Sequence, residues 1–332
     1  MTRFTGVPIS ILGTGLSVPE KHLTNADLEK MVDTTNEWIL ERTGISERRI
    51  AEGEETTSML SYRASLQALS NSEMAATDLD MIVVGTLTPD TLFPSVAARV
   101  QGMLGATNAG AMDIEAGCPS AVYAMTVAAA GIQAGLWKNV LVIGADVISP
   151  LIDWSDRNTC VLFGDGAGAC ILSSSRPGKI RITAADLKAD GTKSDYIELL
   201  AGGSARPVSA ETVANGEHFV KMKGSEVFKF VNKEIPPYLK GFCEQCGLAP
   251  EDIDWWILHQ ANERMIESIM RRLSLPTEKA VMNLGCYGNT CAATVMLLLH
   301  EMVAEGRIQP GQKAVLSSFG AGMTWGAVLL EA

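Results

Sequence analysis

The sequence has no long hydrophobic run, no surplus of positive charge and no paired set of cysteines, and each deficit excludes something. The start, "MTRFTGVPISILGTGLSVP", holds only a short apolar stretch broken by Gly and Pro, so it reads as neither a signal peptide nor a membrane span. Lys and Arg number 27 against 38 Asp and Glu, a formal net charge of −11, which argues against non-specific nucleic-acid binding. Seven cysteines is an odd count without disulfide-scaffold density, so a reducing, cytoplasmic setting is expected. Cys243 and Cys246 form one C-x-x-C, but no second pair or nearby histidine completes a zinc site, and packing is the simpler expectation. With 47% hydrophobic and 20% charged residues, the 332-residue chain has globular composition.

What is present is a pattern that occurs twice. "DLDMIVVGTLTPD" (78–90) matches "EDIDWWILHQANE" (251–263): an acidic start, a buried-strand run, then a polar turn. Later in the first half come Cys118, the apolar helix "SAVYAMTVAAAGIQAG" and the strand "NVLVIGADV". In the second half the same places hold Asn289, "TCAATVMLLLHEMVAEG" and "KAVLSSFGAG". Each half then ends in a glycine-punctuated stretch that reads as a hairpin, 160–174 and 314–330. Strands alternating with helices of this length predict an α/β fold with crossover connections, divided into halves 1–175 and 176–332.

The repeat puts Cys118 and Asn289 at equivalent strand-to-helix junctions, with His259 at the end of another strand. A cysteine at a helix N-terminus has a lowered thiol pKa, because unpaired N–H groups favour the thiolate. Pro119 suits the first helical position. Counted from a helix opening at Cys118, Ala121 lies one turn on and on the same face. "HQAN" supplies a proton-handling imidazole, "YGNT" an amide donor, and "FGAGMTW" a turn with exposed N–H groups. Each feature alone also reads as ordinary packing, capping or a corner.

In that order, the helix-opening cysteine, "GDGAGA", "HQANERMI", "GNTCAA" and "FGAGMTWG" resemble the β-ketoacyl-ACP synthase III family of thiolase-fold condensing enzymes. The resemblance extends to "TNADLEKMVDTTNEWILERTGISERRI" (24–50) and "AGGSARPVSAETV" (201–213). Elongating synthases use two histidines, thiolases have a second catalytic cysteine not matched in an equivalent turn here, and chalcone-synthase-like chains are longer.

The resemblance implies a thiolase-like fold: two βαβαβαββ halves in five layers, α-β-α-β-α. It implies a catalytic set of Cys118, His259 and Asn289, with the N–H groups of Cys118 and Ala321 as oxyanion hole. CoA and pantetheine would meet Trp38, Arg42, Arg157, Gly224, Phe228, Ala261 and Asn262. The primer pocket would hold Phe163, Ala121 and Phe93, the last reaching into the other subunit of a homodimer. Acyl carrier protein would dock on Lys229, Arg264, Arg271 and Arg272. The implied substrates are an acyl-CoA primer and malonyl-ACP, with no metal or other cofactor. The nucleophile's flank departs from the family's Ala-Cys-Ala-Gly-aromatic: here it reads Gly117-Cys118-Pro119-Ser120-Ala121. That leaves the primer open, and alanine in place of an aromatic points to one bulkier than acetyl. An acyltransferase that loads Cys118 without decarboxylation, and a silent carrier-binding scaffold, also stay open.

Overall fold

The computed structural model describes residues 1–332. Nine main strands appear in chain order: β1 (Ile9–Ser17), β2 (Met81–Gly85), β3 (Gly110–Ile114), β4 (Asn139–Asp146), β5 (Gly166–Ser173), β6 (Ile180–Ala189), β7 (Trp255–Leu258), β8 (Lys313–Gly320) and β9 (Thr324–Glu331). Their order in space is β7-β8-β9-β6-β1-β5-β4-β2-β3, and the two-residue strand Thr2–Arg3 adds to β6.

The pairing shows the repeat directly. In the first half β1 runs antiparallel to β5, β5 antiparallel to β4, and β4 and β3 both parallel to β2. In the second, β6 is antiparallel to β9, β9 antiparallel to β8, and β8 parallel to β7. The strand that would match β3 is reduced to one parallel bridge, Trp256 with Ala280. The halves join where Ile9, Ser10 and Ile11 pair with Ile182, Arg181 and Ile180. The expected hairpin at 314–330 is β8 and β9, but 160–174 is not one. It contains the single strand β5, whose antiparallel partner β4 precedes a long loop.

Period-two alternation explains the layers, because successive strand residues face opposite sides. In β4, Val140 and Val142 join one core, while Leu141, Ile143 and Ala145 join another. In β8, Ala314 and Leu316 join that same central core, while Val315 and Phe319 face the far side. Seven helices frame these cores: α1 (Asn36–Thr43), α2 (Thr57–Asn71), α3 (Val96–Leu104), α4 (Ser120–Gln133), α5 (Gly224–Gln245), α6 (Glu263–Arg272) and α7 (Thr294–Ala304). α2 and α3 cover the outer face of the sheet's first half, α5 and α6 that of its second half, and α4 and α7 lie between the two halves. This is the five-layered thiolase-like arrangement.

The middle helices have almost no charged residues because they are covered from both sides. α4 approaches its sheet closely. A Cβ on Gly144 would come within 2.6 Å of both the Ala121 Cβ and the Ala292 carbonyl. No helix is long and apolar enough to cross a membrane.

Candidate active site

The chain leaves β3 through Glu115, Ala116, Gly117, Cys118 and Pro119 before α4 begins. Gly117 has φ +62, and a side chain there would strike the Ala321 backbone at 2.7–2.8 Å, so the turn needs glycine twice over. The buried Ser120 hydroxyl accepts the Ala116 N–H at 2.8 Å and donates to the Gly117 carbonyl at 2.6 Å, bracketing Cys118. Pro119 is the cap and Ser120 the first helical residue, so Cys118 stands before the helix rather than opening it.

This corrects the placement of Ala121. It is fully buried in the central core against Gly144 and does not line the active-site cavity. Its small size lets α4 pack on the sheet and leaves no acyl space.

His259 follows β7, with its N–H held by the Ser317 carbonyl and its ring edge-on to Phe319 at 5.3 Å. Thr294 Oγ1 lies 2.7 Å from His259 Nδ1 and 3.0 Å from the Cys291 carbonyl. That hydroxyl carries a single hydrogen. Turned to Cys291, it accepts the Nδ1 hydrogen and leaves Nε2 a base. Turned to Nδ1, it makes Nε2–H a donor. Asn289 is fixed by backbone bonds to Leu162 and Gly164. Its Oδ1 accepts the Cys291 N–H at 2.9 Å, which leaves the Nδ2 end free for a ligand.

Cys118, His259 and Asn289 line one cavity of about 300 Å³, together with Gly320, Ala321 and a largely apolar wall that includes Phe163. The backbone N–H groups of Cys118 and Ala321 have no partner within the protein. The Cys118 thiol is held well below its ordinary pKa, first by a hydrogen bond with Cys291, then by the charge and hydrogen bond of His259; burial opposes both. Asp146 fastens the seam beneath. It accepts Thr86, Leu87 and Thr88 donors from the first half and the Ala292 N–H from the second, and burial pushes its carboxyl up to about 7.

Gly224, Ala261 and Asn262 also line the cavity. Asn262 Nδ2 donates to the Arg42 carbonyl, so α1 adjoins the mouth. There the Arg42 and Arg157 guanidinium groups lie over the Trp38 ring, at 4.7 and 5.3 Å. Arg157 rests on the indole itself, and also donates to the Asp33 carbonyl, so a planar base enters between them only if Arg157 swings away. Like Trp38, Arg42 and Arg157, Phe228 lies outside the cavity itself. The cavity takes Gly224 and Val227 from α5, whereas Phe228 faces an outer groove with Lys229, Arg264, Arg271 and Arg272. Phe93 is 85% exposed and does not line the active-site cavity.

Two contributors were not anticipated. Cys291 lines the cavity beside the nucleophile, where no second cysteine was expected; its position two residues after Asn289 was the available signal. Thr294 sets the imidazole, and its place at the start of α7 resembles an ordinary cap. Cys243 is buried in the outer core, and Cys246 touches Met1. The structure brings no three His, Cys, Asp or Glu side chains into a metal-binding group.

Residues 112–191 match the 3-oxoacyl-[acyl-carrier-protein] synthase III family, and residues 243–332 match its C-terminal portion. A β-ketoacyl-[acyl-carrier-protein] synthase III of Caldanaerobacter subterraneus is 49% identical over 98% of both chains. The 3-oxoacyl-[acyl-carrier-protein] synthase III of Aquifex aeolicus superposes with a TM-score of 0.89 at 40% identity, covering 98% of this chain and 100% of that one. The Thermus thermophilus enzyme superposes with a TM-score of 0.89 at 42% identity, over 97% and 99%.

Proposed function

The chain belongs to the β-ketoacyl-[acyl-carrier-protein] synthase III family of condensing acyltransferases, and we propose that Cys118, His259 and Asn289 carry out its reaction on an acyl-CoA primer and malonyl-ACP. The observation that supports this most is the convergence of a thiol, an imidazole, a free amide and two unpaired N–H groups on one small cavity.

In the first half-reaction the Cys118 thiol gives its proton to His259 Nε2, and the sulfur attacks the primer thioester. The oxyanion takes hydrogen bonds from the Cys118 and Ala321 N–H groups, each such donor being typically worth ~10²–10³ in rate. CoA leaves as the thiol, taking the proton back from His259. Malonyl-ACP then occupies the vacated tunnel. As CO₂ departs, the thioester oxygen becomes an enolate, which accepts from His259 Nε2–H and Asn289 Nδ2–H. Charge that exists only as the C–C bond breaks is thus met by waiting donors. The carbanion attacks acyl-Cys118, the oxyanion again uses the two N–H groups, and the Cys118 thiolate leaves with β-ketoacyl-ACP formed. Residues 1–175 bring the nucleophile to this scheme and 176–332 bring the imidazole and amide.

The primer's acyl group meets the apolar wall that includes Phe163. CoA crosses the mouth at Trp38, Arg42 and Arg157. The groove of Lys229, Arg264, Arg271 and Arg272 docks the acidic carrier; the three arginines have no carboxylate partner. The exposed pair Leu92 (79%) and Phe93 supports a homodimer in which Phe93 completes the other subunit's pocket. Cytoplasmic location is part of the same reading, as is independence from a metal or other cofactor.

The test is a pair of mass and gas measurements. Cys118→Ala should gain no acyl mass from acyl-CoA. His259→Ala and Asn289→Ala should still acylate yet release little CO₂ from malonyl-ACP. Condensation at wild-type rate in His259→Ala would overturn the assignment.

A further inference from the structure

Of the seven cysteines, two face one cavity from opposite sides of the seam between the halves. Cys118 precedes α4, and Cys291 precedes α7; both line the same cavity and belong to the same packed cluster. The two thiols lie close enough for each to shift the other's ionisation, Cys118 downward and Cys291 upward. Each sulfur is carried on a pinned turn. Ser120 brackets the first, and Asn289 Oδ1 and the Thr294 hydroxyl hold the N–H and carbonyl of Cys291. Cys291 is 1% exposed, so reagents reach it only through the cavity. The condensation steps need no second sulfur as nucleophile or base.

A thiolate in an open cavity is also a target for oxidants, and the outcome depends on its neighbour. Oxidation to sulfenic acid can be undone if a nearby thiol condenses with it, whereas sulfinic and sulfonic acids are not returned by ordinary thiols.

We propose that Cys291 is the resolving thiol of the active site: hydrogen peroxide converts Cys118 and Cys291 into a reversible intramolecular disulfide that closes the enzyme before Cys118 is oxidised beyond repair. The Cys118 thiolate, its proton lodged on His259, attacks one peroxide oxygen; the O–O bond breaks and the leaving hydroxide takes that proton from His259 to become water. Cys118 is then a sulfenic acid. Cys291 loses its proton to the departing hydroxide as its sulfur attacks Cys118 Sγ. The S–O bond breaks and a second water forms. Two thiols have lost two electrons and two protons, and one peroxide has become two waters. The interaction with Cys118, then burial, push the Cys291 thiol well above its ordinary range, so Cys291 stays a thiol in the resting enzyme and Cys118 reacts first.

The inhibition rests on Cys118 being the acyl carrier, but the disulfide is read by mass whether or not the enzyme condenses. Resting enzyme treated with hydrogen peroxide should lose the mass of two hydrogens. Peptide mapping should link the segments around Cys118 and Cys291, and dithiothreitol should restore activity. Enzyme first acylated from acyl-CoA should form no link. In Cys291→Ser the same treatment should add oxygen to Cys118. Its recovery by dithiothreitol, relative to its own untreated rate, should fall roughly tenfold below wild type, since over-oxidised sulfur is not returned by thiols. Oxygen adducts on wild-type Cys118 without a link to Cys291, or a link mapping only to Cys243 and Cys246, would overturn the proposal. So would equal recovery in the two proteins. The wild-type map stands alone if the variant fails to fold.

Discussion

Ser120 occupies the position where the family commonly has glycine, and its removal makes a quantitative test of how the nucleophile is held. In Ser120→Ala the buried Ala116 N–H loses its sole acceptor, while the Gly117 carbonyl keeps the Ser120 N–H at 3.0 Å. One orphaned buried donor costs about 1–3 kcal/mol. For a chain of this size that lowers Tm by roughly 1–4 °C. The kinetic effect should be larger than the stability effect suggests, because the freed turn carries the reacting sulfur. A misplacement of about 1 Å can cost up to about a hundredfold in rate. Scanning calorimetry and stopped-flow acylation from acyl-CoA, followed by mass, measure the two effects separately. Ser120→Gly should behave like Ser120→Ala with a further ~0.5–1 kcal/mol lost to backbone freedom at the helix start. A Ser120→Ala protein that melts and acylates like wild type would refute the claim that this hydroxyl locks the turn.

Ala121→Phe forces a ring into the contact with Gly144 and should cost about 1–3 kcal/mol or more through overpacking, seen as a lower Tm. A changed primer preference with unchanged Tm would contradict the placement of Ala121. Cys291→Ala removes the first cause of the low Cys118 pKa, so a smaller thiolate fraction exists at any given pH. The pH profile of Cys118 alkylation by iodoacetamide should therefore move to higher pH; an unmoved profile counts against the hydrogen bond. Arg264→Glu should raise KM for malonyl-ACP severalfold with little change in acyl-CoA transfer. That difference should shrink as salt shortens the screening length below about 8 Å, and equal damage to both substrates would point to misfolding.

The repeat was legible because acidic starts, apolar runs and glycine turns recur in order, and those patterns follow directly from burial and strand pairing. The C-terminal counterpart of β3 was not legible, since only Ala280 still pairs there. Side-chain direction was harder to read than position. Placing the helix start at Cys118 rather than Ser120 aimed Ala121 at the acyl group, and the observed start turns it into the core. Phe228 shows the same sensitivity: one residue past Val227 is about 100° around a helix, enough to move a side chain from tunnel to outer groove. Cys291 meeting Cys118 depends on two turns far apart in sequence, so no local pattern could announce it.

The close fit of Gly117 against Ala321, and of Asp146 against Ala292, also bears on how such a chain can change over time. Two copies of a duplicated unit are free to drift apart on their outer faces, where water accepts most substitutions. At these touching turns each copy meets the backbone of the other, which no substitution can move aside. Because both contacts are to the backbone of the other half, no side-chain change at 321 or 292 can compensate, so Gly117 and Asp146 should themselves stay fixed. A random-substitution library selected for activity should return almost no changes at 117 and 146, and tolerated changes should survive mainly on the outer helices.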